Sequence, residues 1–163
     1  MKVHDVMTKE VKFCGPETNL AAAAAIMWEN DCGALPIVAA SGKALGLITD
    51  RDIAIALGTR NTQAAEISVK QVISGQLFAA SPEDDIHAAL KLMRKERVHR
   101  LAVINAQGKL EGILSLNDVA LHAAHANGKG TPALNYEDVV STLKAVSEHR
   151  HPIAKMDHKS ANA

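Results

Sequence analysis

Residues 3–53 recur, displaced by 66 positions, as residues 69–119. Without a gap, the displacement pairs Val3 with Val69, Val6 with Val72, Pro16-Glu17 with Pro82-Glu83 and Met27 with Met93. It continues through Leu35 and Leu101, Gly42-Lys43 and Gly108-Lys109, Gly46 and Gly112, and Asp52 and Asp118. Thirteen of the 51 pairs are identical, where chance supplies roughly 3 to 4. Most other pairs keep their character, as in Ile37-Val38 with Val103-Ile104 and Thr49 with Ser115. Duplication explains this economically, so both copies are expected to adopt one fold. At 163 residues the chain is long enough to bury a core without metals or disulfides.

Each copy reads as a short strand, a helix, two strands and a helix. In the second copy Ser81-Pro82-Glu83-Asp84 supplies an N-cap, a first-turn proline and acids at the positive end of the dipole, which predicts a helix start there. Gly15-Pro16-Glu17 does the same in the first. Ile86, Ala89, Leu90 and Met93 follow at helical spacing, and Leu101–Ile104 and Ile113-Leu114 are short apolar runs suited to buried strands. The turns between strands contain Gly42 and Gly108, residues able to take positive φ.

In both copies the last strand runs straight into a helix, at Thr49-Asp50-Arg51-Asp52 and at Ser115-Leu116-Asn117-Asp118. A helix start offers unpaired N–H groups to a phosphate or hydroxyl. Asp52 and Asp118 follow three residues later, where a carboxylate can accept hydrogen bonds from both hydroxyls of a ribose. An ordinary N-cap uses the same spacing. The recurrence of Gly-apolar-apolar-Ser/Thr-x-x-Asp in both copies favours a shared binding function.

Charge and composition exclude other classes. Lys plus Arg equals Asp plus Glu at 18 each, so no global field draws the chain to nucleic acid or anionic lipid. The first ten residues lack the apolar stretch of a signal peptide and no run approaches a membrane span, which reads as a soluble, cytoplasmic protein. Cys14 and Cys32 are too few for a disulfide framework; two buried thiols or a redox pair are the alternatives. His122 and His125, with His149, His151 and His158 in the tail, lack a carboxylate or thiol to complete a metal set, and no metal is expected. Asn127-Gly128-Lys129-Gly130-Thr131 matches part of a P-loop but lacks its upstream glycine and reads as a linker. Beyond it, Asn135–Asp138 opens a helix whose expected apolar face is Val139, Val140, Leu143 and Val146.

The motifs Gly33-Ala34-Leu35-Pro36-Ile37-Val38 and Gly46-Leu47-Ile48-Thr49-Asp50-Arg51-Asp52-Ile53 resemble the first repeat of small bacterial stand-alone CBS proteins. Val98-His99-Arg100-Leu101-Ala102-Val103 with Gly112-Ile113-Leu114-Ser115-Leu116-Asn117-Asp118 resembles a repeat of the AMP-activated protein kinase gamma subunit. The resemblance spans about residues 1–125 and implies an α+β tandem CBS pair, or Bateman module: two β-α-β-β-α repeats about a pseudo-twofold axis. Residues 1–62 and 63–126 would be the repeats, and 127–163 a linker, C-terminal helix and polar tail. Such modules bind adenosyl ligands in clefts that mix the two copies, commonly as disc-shaped homodimers.

By that resemblance one cleft combines Leu77, Val98, His99 and Arg100 with Leu47, Thr49, Arg51 and Asp52. Its cations would meet phosphates, Asp52 the ribose, and Leu47, Leu77 and Val98 the base. The other combines Val11, Cys32, Gly33 and Ala34 with Ile113, Ser115, Asn117 and Asp118. Because Gly33-Ala34 replaces His99-Arg100, the first cleft is expected to take the more anionic ligand. AMP, ADP or ATP is the expected regulatory ligand, with S-adenosylmethionine or NAD as alternatives, and no catalytic cofactor. Asp52 and Asp118 have no nucleophile, metal set or base assigned, so an enzyme is not expected. The expected output is a change of packing or dimer geometry passed to an unidentified partner protein. An interaction module with empty clefts and a thiol-based redox module are the rivals. Small and apolar residues at Ala21–Ala25, Ile53–Leu57 and Val119–Ala124 would suit either a dimer interface or the chain's own core.

Overall fold

The computed structural model of the chain describes residues 1–73, 76–125 and 133–148. The Asn127–Thr131 motif and His149, His151 and His158 lie outside the described residues. In repeat 1, helix α2 (Leu20–Glu29), strands β1 (Ala34–Val38) and β2 (Ala44–Thr49) and helix α3 (Asp50–Arg60) follow one another. Repeat 2 reproduces them as α4 (Ile86–Glu96), β4 (Arg100–Ile104), β5 (Leu110–Ser115) and α5 (Leu116–His122). A four-residue helix α1 (Val3–Val6), a two-residue strand β3 (Ala79–Ala80) and a C-terminal helix α6 (Tyr136–Ser147) complete the described elements, with 3-10 turns at Ala64–Glu66 and Val69–Gln71.

The two antiparallel hairpins correspond residue for residue. β1 pairs with β2 from Ala34↔Thr49 and slips register after Ile37; β4 pairs with β5 from Arg100↔Ser115 and slips after Val103. Both turn on a glycine in the left-handed region, Gly42 at φ 83° and Gly108 at φ 74°. The first strand differs between copies. β3 runs parallel to β4 through Ala79↔Ala102 and Ala80↔Val103, whereas repeat 1 keeps one parallel bridge, Cys14 to Ile37. Pro36 is the cause. At the matching position Ala102 donates its amide to Phe78 O at 3.1 Å, and proline has no such hydrogen.

The helix starts lie later than the proline motifs predict. Asp85 caps α4 by accepting from the His87 amide at 2.9 Å, and Asn19 caps α2 by accepting from the Ala22 amide at 2.8 Å. Ser81–Asp84 instead closes a turn, with the Ser81 amide donating to Asp84 Oδ2 at 2.8 Å. The Pro82 and Asp84 carbonyls, which in a helix would accept from amides four residues on, accept from the His4 and Val3 amides at 3.0 and 2.9 Å.

Those last bonds show how the repeats interlock. Lys2 bridges Asp85 while Ser68 bridges Asn19, two contacts related by the same displacement of 66. Consequently Val3 and Val6, which open repeat 1, are buried with Ile86, Leu90, Met93, Leu101 and Leu114 of repeat 2. Ile67 and Val69, at the start of repeat 2, are buried with Leu20, Met27, Leu35, Ile37 and Ile48 of repeat 1. Each repeat's core is completed by the lead-in segment of the other.

Helix α6 breaks the symmetry by lying on α4 and α5. Asn135 and Asp138 form its capping box, as the sequence predicts. The buried face is not the one expected: Val139, Thr142 and Val146 face inward with Leu134, while Val140 and Leu143 are exposed. Thr142 decides the rotation. Fully buried, its hydroxyl donates to the Asp138 carbonyl at 2.7 Å and accepts from Arg94 Nη1 at 3.0 Å, so α4 supplies a partner that only this face can meet.

Candidate functional site

Each helix-opening Ser/Thr-x-x-Asp is a complete capping box. The Asp52 Oδ2 accepts from the Thr49 amide at 2.9 Å and its hydroxyl at 2.6 Å; the Asp118 Oδ2 accepts from the Ser115 amide at 2.7 Å and its hydroxyl at 2.5 Å. The bland explanation of the motif therefore holds in both copies, and binding must use what the boxes leave over. Asp118 Oδ1 accepts from the Thr8 hydroxyl at 2.8 Å. Among the described residues, Asp52 Oδ1 has no such partner; position 74, which corresponds to Thr8, is outside them.

The second cleft is a cavity of about 410 Å³ between the α2–β1 junction and the end of β5. It brings together Val11, Cys32, Gly33, Ala34, Ile113, Ser115, Asn117 and Asp118, all the residues expected there. The first cleft, about 290 Å³, brings together Leu47, Thr49, Leu77, Val98, His99 and Arg100. Arg51 and Asp52 are not in its lining: Arg51 points to solvent from the first turn of α3, and Asp52 stands one hydrogen bond behind Thr49. Arg100, expected in the first cleft, lines both.

Several lining residues were not singled out from the sequence, although the 66-residue displacement pairs them. Glu10, Lys12 and Asp31 line the second cleft where Gln76, Phe78 and Arg97 line the first. Asp31 and Arg97 occupy matching left-handed positions just after α2 and α4, at φ 47° and 52°. There the chain reverses, Cys32 and Val98 donating to the Met27 and Met93 carbonyls at 3.0 and 3.1 Å. A signal existed: pairing every residue next to Gly33 and His99, not the motif alone, exposes a reversal of charge. The described lining of the first cleft carries Arg97, His99 and Arg100 and no carboxylate, whereas the second sets Glu10, Asp31 and Asp118 against Lys12 and Arg100.

The weaker candidates find other partners. Cys14 is buried and its thiol is pushed up to about 11 by burial, so it is protonated and poorly nucleophilic at neutral pH. Cys32 is half-buried, and both cysteines are free thiols. His122 Nδ1 lies 2.8 Å from the Asp118 carbonyl, and His125 packs edge-on to Tyr136 with ring centroids 5.0 Å apart. Among the described residues no group of three or more His, Cys, Asp or Glu converges as a metal site would require.

The CBS-domain profile matches residues 3–59 and 69–125, one match for each repeat. The chain belongs to the CBS-domain family. CBS domains are regulatory, non-catalytic modules, and this chain is a CBS pair with an added C-terminal helix. It is 31% identical over 133 residues to the CBS domain-containing protein YhcV of Bacillus subtilis, covering 82% of this chain and 93% of that one. The crystal structure of Hypoxic Response Protein I with two coordinated zinc ions, a protein known from Mycobacterium tuberculosis, superposes with a TM-score of 0.69 at 29% identity, over 76% of this chain and all of that one. The CBS domain pair of protein MJ0100 in complex with 5′-methylthioadenosine and S-adenosyl-L-methionine has the same fold, with a TM-score of 0.68 at 22% identity over 74% of this chain and 94% of that one. No helix among the described residues is long and apolar enough to cross a membrane.

Proposed function

We propose that this CBS pair is an adenine-nucleotide sensor in which the first cleft takes AMP or another phosphorylated adenosyl ligand and the second a less charged one. The observation that carries this reading is the charge reversal. In the described lining of the first cleft Arg97, His99 and Arg100 stand with no carboxylate, Arg97 being ion-paired with Glu148 from outside it, beside the Thr49–Asp52 pair and the apolar Leu47, Leu77, Phe78 and Val98. Phosphate suits the Arg100 guanidinium, the base suits the apolar wall, and Asp52 Oδ1, without a partner among the described residues, suits the ribose once the box opens toward it. Two relatives support the ligand class: MJ0100 holds adenosyl ligands, and a CBS domain protein of Pyrobaculum aerophilum of the same fold was crystallised with AMP. The likeness of the Val98–Val103 motif to the AMP-activated protein kinase gamma subunit favours AMP in the same way.

Titration calorimetry tests this. Asp52→Ala is expected to weaken the tighter AMP step by roughly tenfold or more, the scale of one lost hydrogen bond to a charged group, while Asp118→Ala leaves that step within about threefold. Equal AMP affinities in the two variants would refute the assignment. No heat with AMP, ADP, ATP, S-adenosylmethionine or NAD would favour an interaction module with empty clefts.

A homodimer is the proposed assembly, with repeat 1 as its surface. Helix α6 covers α4 and α5, but the matching α2–α3 face is open: Trp28 is 88% exposed beside Ala24, Ala54 and Leu57, with Ile55 51% exposed nearby. An exposed tryptophan on a small-residue groove is a strong association hot spot. Sedimentation velocity is expected to find a wild-type dimer and a Trp28→Glu monomer with unchanged circular dichroism. A wild-type monomer at tens of micromolar would rule the dimer out. Its partner protein would read the resulting change of packing, in the cytoplasm.

A further inference from the structure

Arg100 opens β4 at the centre of the module, directly across the ladder from Ser115. The displacement of 66 places Ala34 in the equivalent position, so a pseudo-symmetric pair that would carry two guanidinium groups carries one. That one lines both clefts. Its guanidinium reaches repeat 1 at Gly33: a Cβ built there would lie 3.7 Å from Arg100 Nη2, an ordinary contact, and 3.0 Å from Asp50 Oδ2. Arg100 is half-buried, and among the described residues its guanidinium makes no hydrogen bond or ion pair. Every other arginine or lysine in the described lining of these clefts, Lys12 and Arg97, belongs to one cleft alone.

We propose that Arg100 is a single anion clamp shared by the two clefts, so that a phosphate bound in one lowers the affinity of the other for a second phosphate. The inference rests on the adenosyl reading above. A guanidinium turned toward one phosphate presents its planar donor fork to that ligand and withdraws it from the other cleft. Two phosphates on either side of one positive charge also repel each other across a low-dielectric centre. Coupling of this origin is negative, reciprocal between the clefts, and confined to ligands that carry the anion. Adenosine, which lacks the phosphate, binds both clefts without it. Arg100 thus sets which combinations of ligands the pair can hold: one phosphorylated and one neutral ligand together, in preference to two phosphorylated ones.

The test reads each cleft separately. Leu47→Trp and Ile113→Trp each fill one cleft, and adenosine binding at the remaining cleft with wild-type affinity verifies that each variant is folded. The weaker AMP step of the wild-type protein is expected to be about tenfold weaker than AMP binding to that same cleft when the other is filled. Adenosine is expected to show no such difference. In Arg100→Gln both AMP steps weaken and the tenfold coupling disappears. If AMP and adenosine bind but the wild-type AMP steps match the single-cleft values, or if the coupling survives in Arg100→Gln, the shared clamp is refuted while the adenosyl reading stands. If neither binds the wild-type protein, both fall together.

Discussion

Replacing Gly112 by alanine is expected to destabilise the protein by about 1–3 kcal/mol, the range for forcing a methyl group into filled space. The strain here is unusually direct. A Cβ at Gly112 would lie 2.5 Å from the Thr8 carbonyl oxygen and 3.0 Å from Met7 Sδ, and a backbone carbonyl cannot swing aside as a side-chain end can. The Thr8 carbonyl is moreover fixed, because Ile113 donates its amide to it at 3.0 Å while Thr8 donates to the Ile113 carbonyl at 3.0 Å. Relief would require the lead-in segment to lift off β5, taking the Thr8 hydroxyl away from Asp118 and opening the second cleft. For a domain of this size the loss corresponds to a fall in melting temperature of roughly 2–10 °C. The paired glycine gives the control. Among the described residues a Cβ at Gly46 meets the side-chain ends of Ile37 and Ile73 at 3.7 Å, ordinary contact, so Gly46→Ala is expected to change stability by less than about 1 kcal/mol. Equal destabilisation by the two substitutions, measured by urea unfolding, would contradict the crossing of Thr8 over β5.

Leu134→Ala is expected to be costlier still, about 2–5 kcal/mol, because Leu134 is 1% exposed and packed in the core of repeat 2. Leu143→Ala, on the outer face of α6 at 45% exposure, should lie within about 0.5 kcal/mol of wild type. Thermal unfolding of the pair of variants reads the rotation of α6 directly: had Val140 and Leu143 faced inward, the second substitution would cost a comparable amount. Loss at Leu134 also loosens a helix tied to α4 by Arg94–Thr142 and by the Arg97–Glu148 ion pair at 3.1 Å, and Arg97 lines the first cleft.

The duplication made most of the fold legible, since element type and hairpin register follow from patterns that both copies share. What escaped lay in the relations between copies. Pro82 has the composition of a helix start, but the carbonyls around it are claimed by Val3 and His4, some eighty residues earlier. No local propensity reports such a partner. The face of α6 was misjudged for a similar reason: hydropathy ranks Val140 and Leu143 above Thr142, but Arg94 supplies the hydrogen bond that lets a hydroxyl be buried. At the clefts most of the residues that the family resemblance assigns to them lie together, although Asp52 stands behind Thr49. Arg51 does not join them, because the first turn of α3 aims it outward. Arg100 was assigned to a single cleft because an alignment gives each residue one address, while a long side chain near a symmetry axis can have two.

The exchange of lead-in segments has a bearing on how such a chain came to be. A solitary copy of the repeat would lack the two valines that seal it, Val3 and Val6 for repeat 2, and would leave its own pair with nothing to cover. Two separate copies could satisfy each other by trading these arms, as domain-swapped dimers do. Fusion of the genes would then have turned an intermolecular trade into an intramolecular one, freeing the halves to diverge. Ala34 and Arg100 hold paired positions that a true dimer would have been obliged to fill with the same residue twice.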